Sequence, residues 1–225
     1  MILWKRSRSG GLFPYLGVCK YGNTAVFDSL FPQNDVNFME MELYARVIDF
    51  MPDGRPADRM REPIAQLVGE KFFTLLEVSI VRGSACALGQ RLCIGKEGRV
   101  EVEKIKKRLE FQDLSATSRS ELPIAARNII SDREADFVSF FNKAGPISMR
   151  LHQLELLSGI GKKHLQEILS ARDEKPFESF KDIQSRVSLL PDPANLIVSR
   201  VNEELGGVSK YYLFVRPPSK HYDEY

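Results

Sequence analysis

The chain has 225 residues, 43% hydrophobic and 28% charged, with a formal net charge of +2. This is the composition of an ordinary soluble globular protein of one large or two small domains. It excludes both an apolar run of membrane-spanning length and a global basic field for polyanions. Any contact with a polyanion must therefore come from local placement of charge, because the salt-dependent part of affinity scales with the phosphates neutralised. Three cysteines, Cys19, Cys86 and Cys93, are odd in number and lack a close paired spacing. They argue for reduced thiols in a cytoplasm rather than a disulfide framework or a four-ligand zinc site. The three histidines, His152, His164 and His221, are scattered, and no metal or cofactor is expected.

Residues 1–40 read as an irregular extension. Trp4 to Gly11 is basic and contains Gly and Ser, without the apolar core of a secretory signal. Leu12 to Phe38 carries aromatic residues in no clear period, and Met39 and Met41 leave open a later true start. From Met41 the period turns to two. Leu43, Ala45 and Val47 alternate with Tyr44, Arg46 and Ile48, and Leu76, Val78 and Ile80 alternate with Glu77 and Ser79. Arg91 to Gly95 makes a short strand, Lys96 to Arg99 a turn, and Val100 and Val102 open the next strand. Short strands separated by Gly/Pro turns predict a small β-barrel or sandwich over residues 41–117. Between the first two strands, Met51 to Gln66 reads as a polar loop with Arg55 and Arg59 as candidate nucleic-acid contacts. Lys104, Lys106 and Arg108 would share one strand face as a basic stripe, with Ile105, Lys107 and Leu109 behind it. A mixed-sign loop and a basic strand also suit a plain solvated surface.

After residue 117 the period becomes helical. Ser118 with Glu121, and Ser131 with Glu134, have the capping-box spacing. Phe137, Val138, Phe140 and Phe141 form a broad apolar face that ends at Gly145 and Pro146. Leu154 to Leu169 holds two apolar-periodic segments around Gly159, Ile160 and Gly161, followed at once by Lys162 and Lys163. The glycines permit a turn too tight for a Cβ, and Ile160 can pin it to the core. The next helix would begin near Lys162, with unpaired N–H groups and its positive dipole end outward, ready for a phosphate. This is the pattern of a helix-hairpin-helix motif, although the same residues could make only a compact connector. A Walker A loop is excluded, since Leu156 and Lys163 stand where its first glycine and its Ser or Thr belong. Downstream, Val187 to Val201 repeats the layout. Leu189 and Leu190 match Leu156 and Leu157, Pro191 to Ala194 match Ser158 to Gly161, and Val198 and Val201 match Leu165 and Ile168. The second copy lacks both glycines, and Pro193 has no N–H to offer. The first copy is thus read as the binding hairpin and the second as its structural mate. Ser179 is placed as an N-cap with Asp182 three residues on, and Tyr211 to Val215 reads as a final strand.

These motifs resemble those of an archaeal family, domain of unknown function 655, described as a predicted nucleic-acid-binding protein. The resemblance runs from Tyr44 to Val215. It is carried by Ala45 to Asp49, Phe72 to Val78, Phe137 to Asn142, Leu154 to Lys163, and Pro176 to Phe180. It implies an α+β chain: an oligonucleotide-binding-like barrel over 41–117, then a tandem helix-hairpin-helix domain within 118–225. It implies no established enzymatic activity, and a gene neighbourhood near ribosomal and transcription components tilts the ligand toward RNA. Ser158, where such hairpins often carry proline, departs from the pattern. Three functions compete. The first is noncatalytic binding of nucleic acid. The second is a base-excision glycosylase using Lys163 and Asp182. The third is a protein-binding module of the translation or transcription machinery.

Overall fold

The computed structural model describes residues 42–55, 61–207 and 209–217. Five strands, β1 (Tyr44–Met51), β2 (Ile64–Gly69), β3 (Leu75–Ile80), β4 (Arg91–Cys93) and β5 (Val102–Arg108), form one sheet in the order β4-β1-β2-β3-β5. Every pairing is antiparallel. Since β1 and β3 run the same way, β4 and β5 also run the same way. The sheet curls into a half-barrel whose outer edges do not meet. Strand β2 begins inside the stretch expected to be a loop. All six of its residues are buried, so two covered faces erase the alternation that would have revealed it.

Each face of the sheet has its own core. Ala45, Val47, Leu67, Val78, Ile80 and Leu92 fill the inside of the curl. Ile48, Val68 and Leu75 face the other way and join a cluster continued by the helices. The strand region and the helical region therefore share one core, with no seam at residue 117.

Helix α1 (Ala116–Asp132) lies across β1 and β2 with Leu122, Ala126, Ile129 and Ile130 buried. Its N-cap is Ser115, which accepts from the Ser118 amide at 3.0 Å; Ser118 itself is buried within the first turn. Two sheet residues set that start. The Ser115 hydroxyl donates to Asp49 Oδ2 at 2.6 Å, and the Ser118 hydroxyl donates to buried Gln66 Oε1 at 2.6 Å. The predicted cap at Ser118 is thus displaced by one turn. Helix α2 (Glu134–Lys143) follows with Arg133 as N-cap, while the Ser131 hydroxyl donates to the Arg127 carbonyl instead of capping. Its four predicted core residues, Phe137, Val138, Phe140 and Phe141, are all buried.

Beyond them come a two-stranded ribbon, β6 (Pro146–Ser148) with β7 (Leu151–His152), and three helices, α3 (Lys162–Glu174), α4 (Phe180–Arg186) and α5 (Pro193–Leu205). Tyr211 to Val215 forms no strand. The amides of Leu213, Phe214 and Val215 instead donate to the buried Glu204 carboxylate at 2.7, 3.0 and 2.9 Å. That carboxylate also accepts from Arg200 Nε at 2.7 Å. The clasp seats Phe214 edge-on against Phe140, with ring centroids 5.1 Å apart.

A second carboxylate shapes the β2–β3 turn. Glu42 is buried and accepts from the amides of Lys71, Phe72 and Thr74 at 2.8, 2.9 and 3.2 Å. Phe73 adopts a positive φ of 51° there, a conformation that costs an ordinary residue about 1–2 kcal/mol. Gly69 is required, since a Cβ would sit 2.2 Å from the Glu42 carboxyl.

Candidate nucleic-acid interface

The segment from Leu154 to Lys163 is built from the ribbon upward. His152 ends β7 and caps a single 3-10 turn, Gln153–Leu156. Its Nδ1 accepts from the Leu154 amide at 3.2 Å, and the His152 amide donates to Glu155 Oε2 at 2.8 Å. The expected first helix is therefore only a 3-10 turn. The short stretch between the ribbon and Gly159 leaves no room for more. Gly159 then takes a φ of +100°, and Ile160 is buried as predicted.

Gly161 is the N-cap of α3. Its φ of −91° and ψ of −178° are ordinary extended backbone, and a Cβ there would meet nothing within 4 Å. The glycine demanded by geometry is thus Gly159, and the expected strain at Gly161 does not exist. As a cap, Gly161 has no side-chain acceptor for the first-turn amides of α3.

Two lysines flank this helix end. Lys162 Nζ pairs with Glu155 Oε1 at 2.7 Å and donates to the Arg150 carbonyl at 3.2 Å, which ties α3 to the β6–β7 tip. Lys163 stands 3.9 Å from Glu167 on its own helix, and its side chain is 81% exposed. The hydrogen bond from Lys162, then that from the His152 amide, holds the Glu155 carboxyl below the usual range. Burial, reinforced by the charge of Arg172, holds His152 below its ordinary value, so its ring stays neutral and can accept from Leu154.

The second copy ends differently. Asp192 is the N-cap of α5, and its Oδ1 accepts from the Ala194 amide at 3.1 Å. Its Oδ2 pairs with Arg127 of α1 at 2.6 Å, and Arg127 also donates to Asn195 Oδ1. This helix start is closed by the protein's own anion. Leu157, Ile160 and Ile168 are buried like their matches Leu190, Pro193 and Val201, whereas Val198 is less buried than its match Leu165 and Leu189 is exposed where Leu156 is half-buried. The helix itself begins two positions early relative to that match, because Pro193 presets the first helical turn. The two turns touch, with Gly159 beside Pro191 and Leu196.

The residues proposed from the strand region are dispersed. Arg59 lies outside the described residues. Arg55 pairs with the buried Glu77 of β3. The stripe of Lys104, Lys106 and Arg108 is broken by an irregularity in the β3–β5 register at Lys106, between Lys107 opposite Glu77 and Ile105 opposite Val78. Lys104 pairs with Ser79 and Arg108 with Leu76, on opposite faces of the sheet. Lys106 forms an ion pair with Glu62. Lys104 and Lys107 share a face instead, opposite Ser79 and Glu77. Sequence reading missed Arg127 and Asp192, whose partnership across α1 and α5 has no local signature.

Lys163 and Asp182 are not brought together. Asp182 occupies the first turn of α4, where its amide donates to the Ser179 hydroxyl oxygen at 3.1 Å. Its carboxylate pairs with Arg186 at 3.3 Å and accepts from the Glu178 amide at 3.1 Å. Among the described residues no group of three or more His, Cys, Asp or Glu side chains could hold a metal. No described helix is long and apolar enough to cross a membrane.

Fold and site together define a mixed α/β protein in which a curled antiparallel sheet is covered on one face by helices, with an uncapped helix start beside a pair of lysines. The chain belongs to the family "Protein of unknown function (DUF655)", whose model matches residues 41–216. It is 38% identical over 179 residues to the uncharacterized protein MJ0038 of Methanocaldococcus jannaschii, covering 79% of this chain and 81% of that protein. It is also similar to the crystal structure of Af1531 from Archaeoglobus fulgidus, of the same family. That likeness has a TM-score of 0.73 and 47% identity, and covers 78% of this chain and all of that one.

Proposed function

We propose that this protein is a noncatalytic nucleic-acid-binding protein, RNA favoured, that grips the phosphate backbone at the start of α3. The 3-10 turn, Gly159–Gly161 and α3 are read as a shortened helix-hairpin-helix, and α4 with α5 as its tandem partner. The curled sheet is read as oligonucleotide-binding-like, with Lys104 and Lys107 as its exposed basic residues. One observation carries the proposal. Of two related helix starts, one is filled by Asp192 and Arg127, while the other has a glycine cap and two exposed lysines. An open N-terminus with aligned amides suits a phosphate oxygen.

Ligation of lysines to neighbouring acids does not prevent this, since exposed ion pairs contribute about 0–1 kcal/mol and exchange readily for a phosphate. The near-neutral net charge fits modest, local binding. The glycosylase reading draws nothing from the side-chain arrangement, as Asp182 is committed to capping and pairing within α4. The direct test is fluorescence anisotropy with labelled single- and double-stranded RNA and DNA at low and moderate salt. Binding that weakens with salt and drops in Lys162→Ala/Lys163→Ala is expected; equal binding by that folded variant overturns the proposal.

A further inference from the structure

A second site lies at the β5 edge of the sheet. A cavity of about 570 Å³ opens between the end of β5, the following turn, the end of α5 and the Val215–Arg216 segment. That volume falls within the range of small-molecule clefts. Leu75, Leu109 and Val215 make an apolar wall, and half-buried Phe111 stands at its side. Two arginines and two glutamates line the cavity. Arg108 and Arg216 both line the cavity, and Arg108 spends one N–H on the Arg216 carbonyl at 2.5 Å while entering no ion pair among the described residues. Arg216 lies with its guanidinium 4.2 Å from the Phe72 ring centroid. Glu204 reaches the wall with both oxygens occupied by Arg200 and three amides. Glu110, bound to Gln112 Nε2 at 2.8 Å, is the remaining acid. Burial and the neighbouring Arg216 charge disfavour the charged form of Arg108, and the Glu42 carboxylate favours it. The end of α5 adds backbone carbonyls at the rim: those of Asn202 and Glu204 accept from the Gly206 and Gly207 amides, and that of Leu205 accepts from no described residue.

We propose that this cavity is a nucleotide site, with the phosphate on Arg108, the flat base along the apolar wall beside Phe111, and the base's N–H groups toward the α5 carbonyls. A bare anion would leave the apolar wall wet, and an aliphatic acid would leave the carbonyls unmatched. A nucleotide supplies an anion, a flat apolar face and N–H donors in one molecule. The site is independent of the α3 hairpin, and its ligand is either a free mononucleotide or one nucleotide of a strand.

The test titrates the full chain with GMP, AMP, CMP, UMP and inorganic phosphate at low salt, followed by amide NMR shifts and calorimetry. At least one nucleotide should bind saturably and at least tenfold tighter than phosphate. Arg108→Gln should lower that affinity tenfold or more. Phe111→Leu should weaken the nucleotide and leave phosphate unchanged. If Arg108→Gln fails to melt cooperatively, Arg108→Lys decides, with a loss of several-fold expected from removing the planar fork. Gly161→Asp should leave mononucleotide affinity unchanged, which separates this site from the hairpin. Tighter binding of an oligonucleotide through Arg108 identifies a strand as the source, and equal binding identifies the free nucleotide. The proposal is overturned by no saturable binding at millimolar nucleotide, by equal affinity for phosphate, by unchanged affinity in the Arg108 variants, or by loss in Gly161→Asp.

Discussion

Replacing Gly161 with aspartate would give the start of α3 the anion that the start of α5 already carries. The backbone there is extended and a Cβ enters open space, so the substitution imposes no strain. Aspartate is a better N-cap than glycine by a few tenths of a kcal/mol, and its charge at the positive end of the dipole adds about 0.3–1 kcal/mol. The expected gain is therefore about 0.5–1 kcal/mol, which raises Tm by about 1–4 °C in a chain of this size. Binding should move the other way. The carboxylate would occupy the place of a phosphate oxygen and repel the strand by about 1 kcal/mol at 4 Å in water, and by about 4 kcal/mol at an effective dielectric of 20. The expected loss is tenfold or more, with a salt slope smaller by about one. Anisotropy titrations at several salt concentrations, paired with thermal melts, measure both quantities. A variant that melts higher and binds every RNA and DNA as well as wild type would refute the assignment of phosphate to this helix start.

Four further outcomes follow from the same geometry. Lys162→Ala and Lys163→Ala should each lower affinity evenly across sequences and reduce the salt slope by about one, while Asn195→Ala leaves binding unchanged; a loss confined to one sequence would instead indicate base readout. His152 is held below its ordinary value, so the unfolded chain takes up a proton that the folded chain refuses. Stability from this group is present above about pH 6.5 and declines as pH falls below it; denaturant melts at pH 7.5 and 5.5 should show a smaller difference in His152→Gln than in wild type. Glu204→Gln should cost about 1–3 kcal/mol, since it removes the buried carboxylate that serves Arg200 and three amides while Arg200 keeps the more exposed Glu203 at 3.4 Å, and a cost below about 1 kcal/mol in urea melts would contradict the clasp. Asp182→Asn should lose at most about 1 kcal/mol and bind normally, since asparagine still serves in the helix's first turn; release of damaged bases from DNA that vanishes in both Asp182→Asn and Lys163→Ala would establish the glycosylase instead.

What the sequence revealed divides along the range of the interactions. Positions governed by neighbours a few residues away were legible. The aromatic face of α2, the inward Ile160, the Ser179 cap and the start of α3 beside Lys162 all follow from local period or turn chemistry. Features decided by distant partners were not. Strand β2 hides because helices cover one of its faces and the curl covers the other. The α1 cap is fixed by Asp49 and Gln66 from the sheet. The Tyr211 to Val215 segment looks β-prone, yet Glu204 takes the amides that a ladder would need. The basic stripe failed because strict alternation assumes an unbroken ladder, and the irregularity at Lys106 turns Lys104 and Arg108 apart. The shared core also bears on dissection. A fragment ending at Thr117 would strip the cover from Ile48, Val68 and Leu75, so its inability to bind would report unfolding rather than the absence of a contact.

The turn wrapped around Glu42 has a bearing on the order of folding events. A β-hairpin can ordinarily close from its own few residues within microseconds. Here the left-handed Phe73 and its neighbouring amides depend on a carboxylate that enters from ahead of β1. The β2–β3 turn is thus a short loop with a long-range trigger, and the loop between Glu42 and Lys71 must close before that turn reaches its final shape. Such dependence raises the effective sequence separation of the sheet's central pairing, which slows folding relative to a self-sufficient hairpin. Substitution of Glu42 should accordingly act mainly on the unfolding rate if the carboxylate docks after the rate-limiting barrier, and on the folding rate if its arrival is that barrier.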